Sequence, residues 1–186
     1  MPANWDLMQS DSFQSLIKSD SCFNSELQKL ESICAGVDLK LFAENKPATQ
    51  QLREVFNKKS SENQWEERPV VTREFPNGVL GTNYEVDYQY TFKNDGCISN
   101  HQISIELAFD NRQAVGTNVL KMDLANKLFT TKSDCQSVSI IVVPSLTAKK
   151  NGHWDNSVAT DYDYSWSLRN AYSDYAKSPI LLLILS

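Results

Sequence analysis

The stretch "ISIELAFD", residues 103–110, places one glutamate inside an otherwise apolar strand. Every second residue is apolar, and this period predicts a β-strand with one apolar face, formed by Ile103, Ile105, Leu107 and Phe109. Glu106 belongs to the opposite face. A carboxylate in such surroundings needs a partner, because burying an unpaired charge costs free energy. No cationic residue stands beside Glu106 in the sequence, so the first question is what this side chain faces.

The segment "YEVDYQYTF", residues 84–92, alternates in the same way and predicts the other strand of a β-hairpin. Its apolar face would comprise Tyr84, Val86, Tyr88, Tyr90 and Phe92. The turn signal "NDG", residues 94–96, joins the two strands. With the turn at Asp95-Gly96, Glu85 would lie opposite Glu106, and Asp87 opposite Ser104.

This register crowds three acids, Glu85, Asp87 and Glu106, into one patch. Like charges on directly opposed residues are destabilising. A divalent cation that prefers oxygen ligands, Mg²⁺ above all, would offset the repulsion. An exposed polar face, screened by water and nearby lysines, is the alternative explanation.

The segments around the hairpin predict a single α/β domain spanning residues 1–186. The part before residue 64 has mainly helical spacing, and residues 80–186 would form the core with the site. After the hairpin come an amphipathic helix, "RQAVGTNVLKMDLANKLF", and two buried strands, "VSIIVVP" and "PILLLIL", separated by a further helix. This order predicts a mixed β-sheet flanked by helices, with a helical N-terminal region.

Charge and cysteine content limit the classes of function. The net charge of −5 argues mildly against nucleic acid as a partner. Residues 112–150, however, contain six cations and two acids, which leaves a basic region that could hold a polyanion. The four cysteines lack zinc-site spacing and favour a reduced, cytoplasmic protein. No signal peptide is recognised, and the longest apolar run is too short to span a membrane.

The hairpin segments "LGTNYEVDYQY" and "HQISIELAFDNR", together with the elements that follow them, resemble the BglII/BstYI group of type II restriction endonucleases. This group belongs to the PD-(D/E)XK nuclease superfamily, and the resemblance runs from about residue 40 to the C-terminus. It implies a restriction-endonuclease-like fold and Mg²⁺-dependent hydrolysis of phosphodiester bonds in double-stranded DNA. The target would be a short palindromic site, with a GATC-centred site as an extrapolation.

The resemblance also implies roles for individual residues. Asp87 and Glu106 match the catalytic acids and would bind the metal, with the Leu107 carbonyl as a further ligand. Glu85 has no counterpart in the family, and the hairpin pattern alone suggests it as a helper acid in catalysis.

Position 108 departs from the family pattern, since the third catalytic residue there is commonly Gln, Glu or Lys and here is alanine. Asn83, Lys121 and Asp110 are the candidates to replace it. The interval between Asp87 and Glu106 is also longer than is usual in the group. Two alternative functions therefore stay open. One is a nuclease of the same superfamily that acts in repair or defence without a fixed site, and the other is a DNA-binding relative with impaired catalysis.

Two segments are candidates for DNA contact. Asp110, Asn111 and Arg112 match positions where family members contact DNA, although Asp110 and Asn111 could equally cap a helix. The loop "TAKKNGHWDNSVAT", residues 147–160, corresponds to one that enters the major groove in the family. Its candidate ligands are Lys149 and Lys150 for phosphates and Asn156 and Ser157 for bases, and an ordinary surface loop is the alternative.

A palindromic target implies a homodimer. By analogy, the helix at residues 112–130 would form its interface, although core packing explains the apolar stripe of this helix as well.

Overall fold

The computed structural model describes residues 3–6, 21–35, 48–63, 65–67, 84–93, 97, 100–109, 111–130, 135–151, 154, 156–175 and 178–186. The strands are β1 (Ala3–Asp6), β2 (Glu66–Glu67), β3 (Tyr88–Phe92), β4 (Asn100–Leu107), β5 (Cys135–Pro144) and β6 (Ile180–Leu185). The α-helices are α1 (Ser21–Ala35), α2 (Ala48–Asn63), α3 (Val115–Thr130), α4 (Leu146–Asn151) and α5 (Asp161–Trp166). A 3₁₀ turn, Arg112–Ala114, precedes α3, and a π-helical turn, Ser167–Ala171, follows α5.

The described strands form one sheet of six, in the order β1-β6-β5-β4-β3-β2. The three central strands β4, β5 and β6 are parallel, and the outer pairs are antiparallel. The predicted mixed sheet flanked by helices is therefore confirmed. The helices α1 and α2 fall in the segment predicted to be helical, whereas the edge strand β1 was not predicted.

The sheet carries an apolar core on each face. One core packs β3–β6 against α1 and α2 through Phe23, Leu30, Leu52 and Phe56. The other packs the sheet against α3, α5 and the π-helical turn through Val119, Met122, Tyr164 and Leu168. Strand β5 serves both cores, since Ile140 and Val142 face the first and Ile141 and Val143 face the second. Burial on both faces explains why "VSIIVVP" is apolar without alternation.

The predicted hairpin register is wrong by two residues. Tyr88 lies opposite Ile105, whereas the prediction placed Ile103 there. The last pair is Phe92 with His101, so the connection is longer than the predicted two-residue turn at Asp95-Gly96. The predicted turn at residues 94–96 lies outside the described residues. Because the shift is an even number, Glu106 keeps its predicted face, but Glu85 no longer lies opposite Glu106.

The predicted alternation of the first strand fails before Tyr88. Val86 packs with Ala108 and Val119, on the opposite face of the sheet from Tyr88 and Tyr90. The reason is that β3 begins only at Tyr88, after a bend at Asp87, so the two-residue period does not extend back to Val86.

The prediction of reduced cysteines is contradicted by a disulfide between Cys22, in α1, and Cys97, which precedes β4. Cys34 lies in the core, and burial raises the pKa of its thiol to about 12. Among the described residues, no helix is long and apolar enough to cross a membrane.

Candidate functional site

Asp87 and Glu106 lie at the ends of neighbouring strands. The backbone N–H of Leu107, the residue after Glu106, connects the two segments by a hydrogen bond to Asp87. Glu106 is the penultimate residue of β4, and Asp87 immediately precedes β3. The Leu107 backbone N–H donates to Asp87 Oδ2 at 2.9 Å. Asp87 is 8% exposed and Glu106 is 5% exposed. The structure therefore brings the two predicted acids together in a largely buried position.

Each acid is paired with a cation from a helix. Lys121, in α3, contacts Glu106 with 2.6 Å between Nζ and Oε1. Arg53, in α2, contacts Asp87 with 2.8 Å between a terminal guanidinium nitrogen and Oδ1. Because α2 and α3 pack on opposite faces of the sheet, the two acids receive their cations from opposite sides. Glu106 tolerates its apolar neighbours because Lys121 offsets its charge.

Buried hydrogen bonds between α3 and the sheet fix the position of Lys121. Ser139, in β5, donates to the Met122 carbonyl at 2.8 Å. One turn further along α3, the Asn126 side chain accepts from Ser137 and donates to the Pro179 carbonyl. These hydrogen bonds explain why Ser137 and Ser139 stand near the start of a strand that is largely apolar. They hold α3 close enough for the Lys121 side chain to reach β4.

Position 108 supplies no polar side chain, because it is alanine. Ala108 is also fully buried in the core beneath α3. Of the three candidates to replace it, Asn83 and Asp110 lie outside the described residues. Lys121 contacts the carboxylate that the third catalytic residue is expected to assist. Its side chain is 11% exposed, so the ammonium group is held in largely desolvated surroundings.

The other two predicted members of the site are placed differently. Glu85 is exposed and precedes β3, so it does not join the pair in the predicted register. The Leu107 carbonyl accepts a hydrogen bond from the Phe109 backbone N–H at 3.1 Å, and its second lone pair could still face an ion. Arg53 was missed, since no local pattern connects a residue of α2 with the bend at Asp87.

The carboxylates of Asp87 and Glu106 are chemically suited to Mg²⁺. This ion prefers oxygen ligands and is commonly held by one or two carboxylates, with water and phosphate oxygens completing its shell. Among the described residues, no group of three or more His, Cys, Asp or Glu side chains is placed to hold a metal ion. Asp87 and Glu106 would therefore provide two of its ligands, and Arg53 and Lys121 would have to give way in part.

The two predicted DNA-contact segments lie side by side. The Arg112 N–H donates to the Ser157 carbonyl at 2.9 Å, and Asn111 forms a β-bridge with Val158. The Asn111 side chain also accepts from the Gln113 N–H, so it caps the 3₁₀ turn as the alternative explanation required. Asp110 lies outside the described residues.

Four of the seven residues predicted to bind DNA line one hollow of about 460 Å³. We call it the Trp154 hollow; its lining comprises Arg112, Leu146, Lys149, Lys150, Trp154 and Asn156. Lys149 is buried, and its ammonium group donates to the carbonyls of Asn156 and Val158 at 2.8 and 2.5 Å. It therefore anchors the loop, whereas Lys150 and Asn156 are exposed and Ser157 is half-buried. Trp154 was not among the predicted site residues.

No model of a known protein family matches the chain, and no curated protein matches it.

Proposed function

We propose that this protein is a Mg²⁺-dependent nuclease that hydrolyses phosphodiester bonds in double-stranded DNA. In its specific form, the proposal is a homodimeric type II restriction endonuclease that cuts a short palindromic site. The observation that carries it is the hydrogen bond that ties the buried Asp87 to the Leu107 N–H, next to the buried Glu106, with Lys121 at 2.6 Å from Glu106.

Asp87 and Glu106 would hold the ion. When bound, Mg²⁺ polarises the scissile phosphate and lowers the pKa of an attacking water. Arg53 keeps Asp87 oriented, and the Leu107 N–H fixes the second oxygen of the same carboxylate. This shared hold would restrict Asp87 to one orientation before DNA binds, which reduces the cost of ordering the site.

Lys121 would take the role that Ala108 cannot perform. A lysine ammonium beside the reacting phosphate offers a hydrogen-bond donor and a positive charge for the negative charge that develops in the transition state. Lys121 reaches the Glu106 carboxylate from the covering helix α3, whereas a catalytic residue at position 108 would reach it from the strand.

The DNA would be held by the surface around the Trp154 hollow. Phe109, three residues beyond Glu106, lies 5.6 Å from Trp154 between ring centroids, so the hollow adjoins the end of the strand that carries the acid. Lys150 and Arg112 would contact phosphates, and Asn156 would contact a base edge. A two-fold symmetric target would require a second copy of the chain.

Plasmid digestion with and without Mg²⁺ tests the proposal. We expect discrete fragments that require Mg²⁺, and we expect Asp87→Asn and Glu106→Gln to abolish cutting while DNA binding stays measurable. Glu62→Gln, which changes an exposed acid of α2, serves as the matched control and should cut like the unmodified protein.

Other outcomes would contradict specific parts of the proposal. Mg²⁺-dependent smearing would indicate a nuclease without a fixed site, and retained binding without any cutting would indicate a DNA-binding relative with impaired catalysis. Cutting by either acid variant at the unmodified rate would refute the assignment of the metal ligands.

A further inference from the structure

The described lining of the Trp154 hollow is positively charged. Among its described lining residues, three are cations, Arg112, Lys149 and Lys150, and none is an acid. Arg112 also contacts Asp163 at 3.1 Å, outside this lining, and Lys149 is engaged with loop carbonyls. Lys150 remains exposed at the rim. The charge of the hollow therefore favours an anionic ligand.

Trp154 adds an aromatic surface. The ring is only half-buried and leans on Phe109 at an interplanar angle of 55°. A planar heteroaromatic ligand could therefore contact the exposed part of the Trp154 ring.

The volume of about 460 Å³ lies within the range of small-molecule sites, about 300–1,000 Å³. A nucleotide combines an anionic phosphate with a planar aromatic base and is of a size that such a hollow can hold. A base inside a paired duplex is stacked between its neighbours and could not enter, so the nucleotide would have to be unpaired.

We infer that the Trp154 hollow binds one unpaired nucleotide of a DNA strand. Its base would lie against Trp154 and Asn156, and its phosphate would lie at Lys150 and Arg112. The choice of DNA as the source of the nucleotide rests on the proposed function. A free nucleotide has the same chemistry, and the two sources are separated by the experiments below.

The first experiment follows the indole N–H signals in ¹⁵N-labelled protein during titration with each of the four deoxynucleoside monophosphates. Trp154→Phe identifies the Trp154 signal by its loss. We expect the nucleotides to shift this signal at concentrations where inorganic phosphate leaves it in place. An equal shift with inorganic phosphate would reduce the hollow to a simple anion site and overturn the inference.

The second experiment compares a fully paired duplex with the same duplex carrying one additional unpaired nucleotide. Affinities are measured by fluorescence anisotropy with EDTA present, so that no cleavage occurs. Stacking of one base predicts about tenfold tighter binding of the duplex with the unpaired nucleotide. Trp154→Phe and Lys150→Ala should both reduce this preference. Lys58→Ala, which changes an exposed lysine on α2, should leave it unchanged.

Equal affinity for the two duplexes would overturn the inference that the nucleotide belongs to DNA, even if free nucleotides shift the Trp154 signal. Both measurements are made without a divalent ion, so they do not depend on catalysis. A protein that never cuts DNA can still show the preference, and a protein that cuts DNA can lack it. Failure of the proposed function and failure of this inference are therefore distinguishable.

Discussion

At the scale of single residues, the pair formed by Glu106 and Lys121 explains how an acid is accommodated in an apolar strand. Both side chains are largely buried, at 6% and 11% exposure, and their charged atoms are 2.6 Å apart. Such a pair contributes little net stability, because desolvation offsets the attraction. Removing one partner is costly, because it leaves the other charge buried without compensation.

We predict that Lys121→Met lowers the free energy of unfolding by about 3–5 kcal/mol, since it leaves Glu106 uncompensated. The double variant Glu106→Gln with Lys121→Met should lose less than the sum of the two single variants. Urea unfolding of all four proteins in a double-mutant cycle measures the coupling. Additive losses would contradict a direct pair. The same cycle applied to the exposed pair Lys59 and Glu62 should give a coupling of about 0.2–1 kcal/mol.

Part of this arrangement was predictable from the sequence. The side of the sheet on which Glu106 lies follows from the two-residue period of the strand. An error of two residues in the predicted register leaves that side unchanged, because side chains return to the same face every second residue. The need for a cation follows from the cost of a buried carboxylate. Arg53 could not be predicted, because its contact with Asp87 depends on how α2 lies across the sheet. The register could not be predicted either, since it depends on the length of the connection between Phe92 and His101.

At the scale of elements, α3 is the part of the fold on which the candidate site depends most. Its apolar stripe packs on the sheet through Val115, Val119, Met122 and Ala125. The other side of α3 meets the segment after α5, where a Cβ placed on Gly116 would lie 2.1 Å from the Tyr172 hydroxyl. The glycine thus permits close approach of Tyr172 to the first turn of α3.

We predict that Gly116→Ala destabilises the protein because the added methyl group displaces the Tyr172 ring. In a Tyr172→Ala background the clash is absent, and the same change should stabilise the protein by up to about 1 kcal/mol, the difference in helix propensity between glycine and alanine. Thermal unfolding of the four proteins tests this reversal of sign. The same sign in both backgrounds would show that the Tyr172 contact does not limit residue 116.

At the scale of the whole molecule, the disulfide joins parts of the chain that are 75 residues apart. It fastens α1, which covers one face of the sheet, to the connection that leads into β4. Disulfides are typical of oxidising compartments, so this bond does not favour the predicted cytoplasmic location, which stays a prediction. Closing a long loop restricts the unfolded chain and thereby stabilises the folded one.

We predict that Cys22→Ser lowers the free energy of unfolding by about 2–4 kcal/mol, and that a reducing agent lowers it similarly in the unmodified protein. The reducing agent should have no further effect on Cys22→Ser. Chemical unfolding with and without dithiothreitol provides the measurement. A stability of the unmodified protein that does not respond to reduction would contradict a structural role for this bond.

The proposed homodimer can be tested on the side of α3 that faces away from the core. Leu120 is 48% exposed, the most exposed apolar residue among the described side chains of α3, and is therefore well placed to meet a second copy. We predict that Leu120→Asp shifts the protein from dimer to monomer in sedimentation equilibrium without loss of stability. Tyr175→Asp, at a more exposed apolar residue outside α3, should not change the mass. A dimer that persists in Leu120→Asp would exclude this part of α3 as the interface.

The position of β1 beside β6 has a consequence for the synthesis of the protein on the ribosome. Ala3 pairs with Leu185 and Asp6 with Leu182, so β1 leaves the exit tunnel long before its partner β6. Strand β5 also lacks its β6 neighbour during that interval. A nascent chain would thus expose two unpaired strand edges until β6 has left the tunnel, and such edges invite association between chains. Synthesis speed and chaperone supply should therefore influence the yield of this protein.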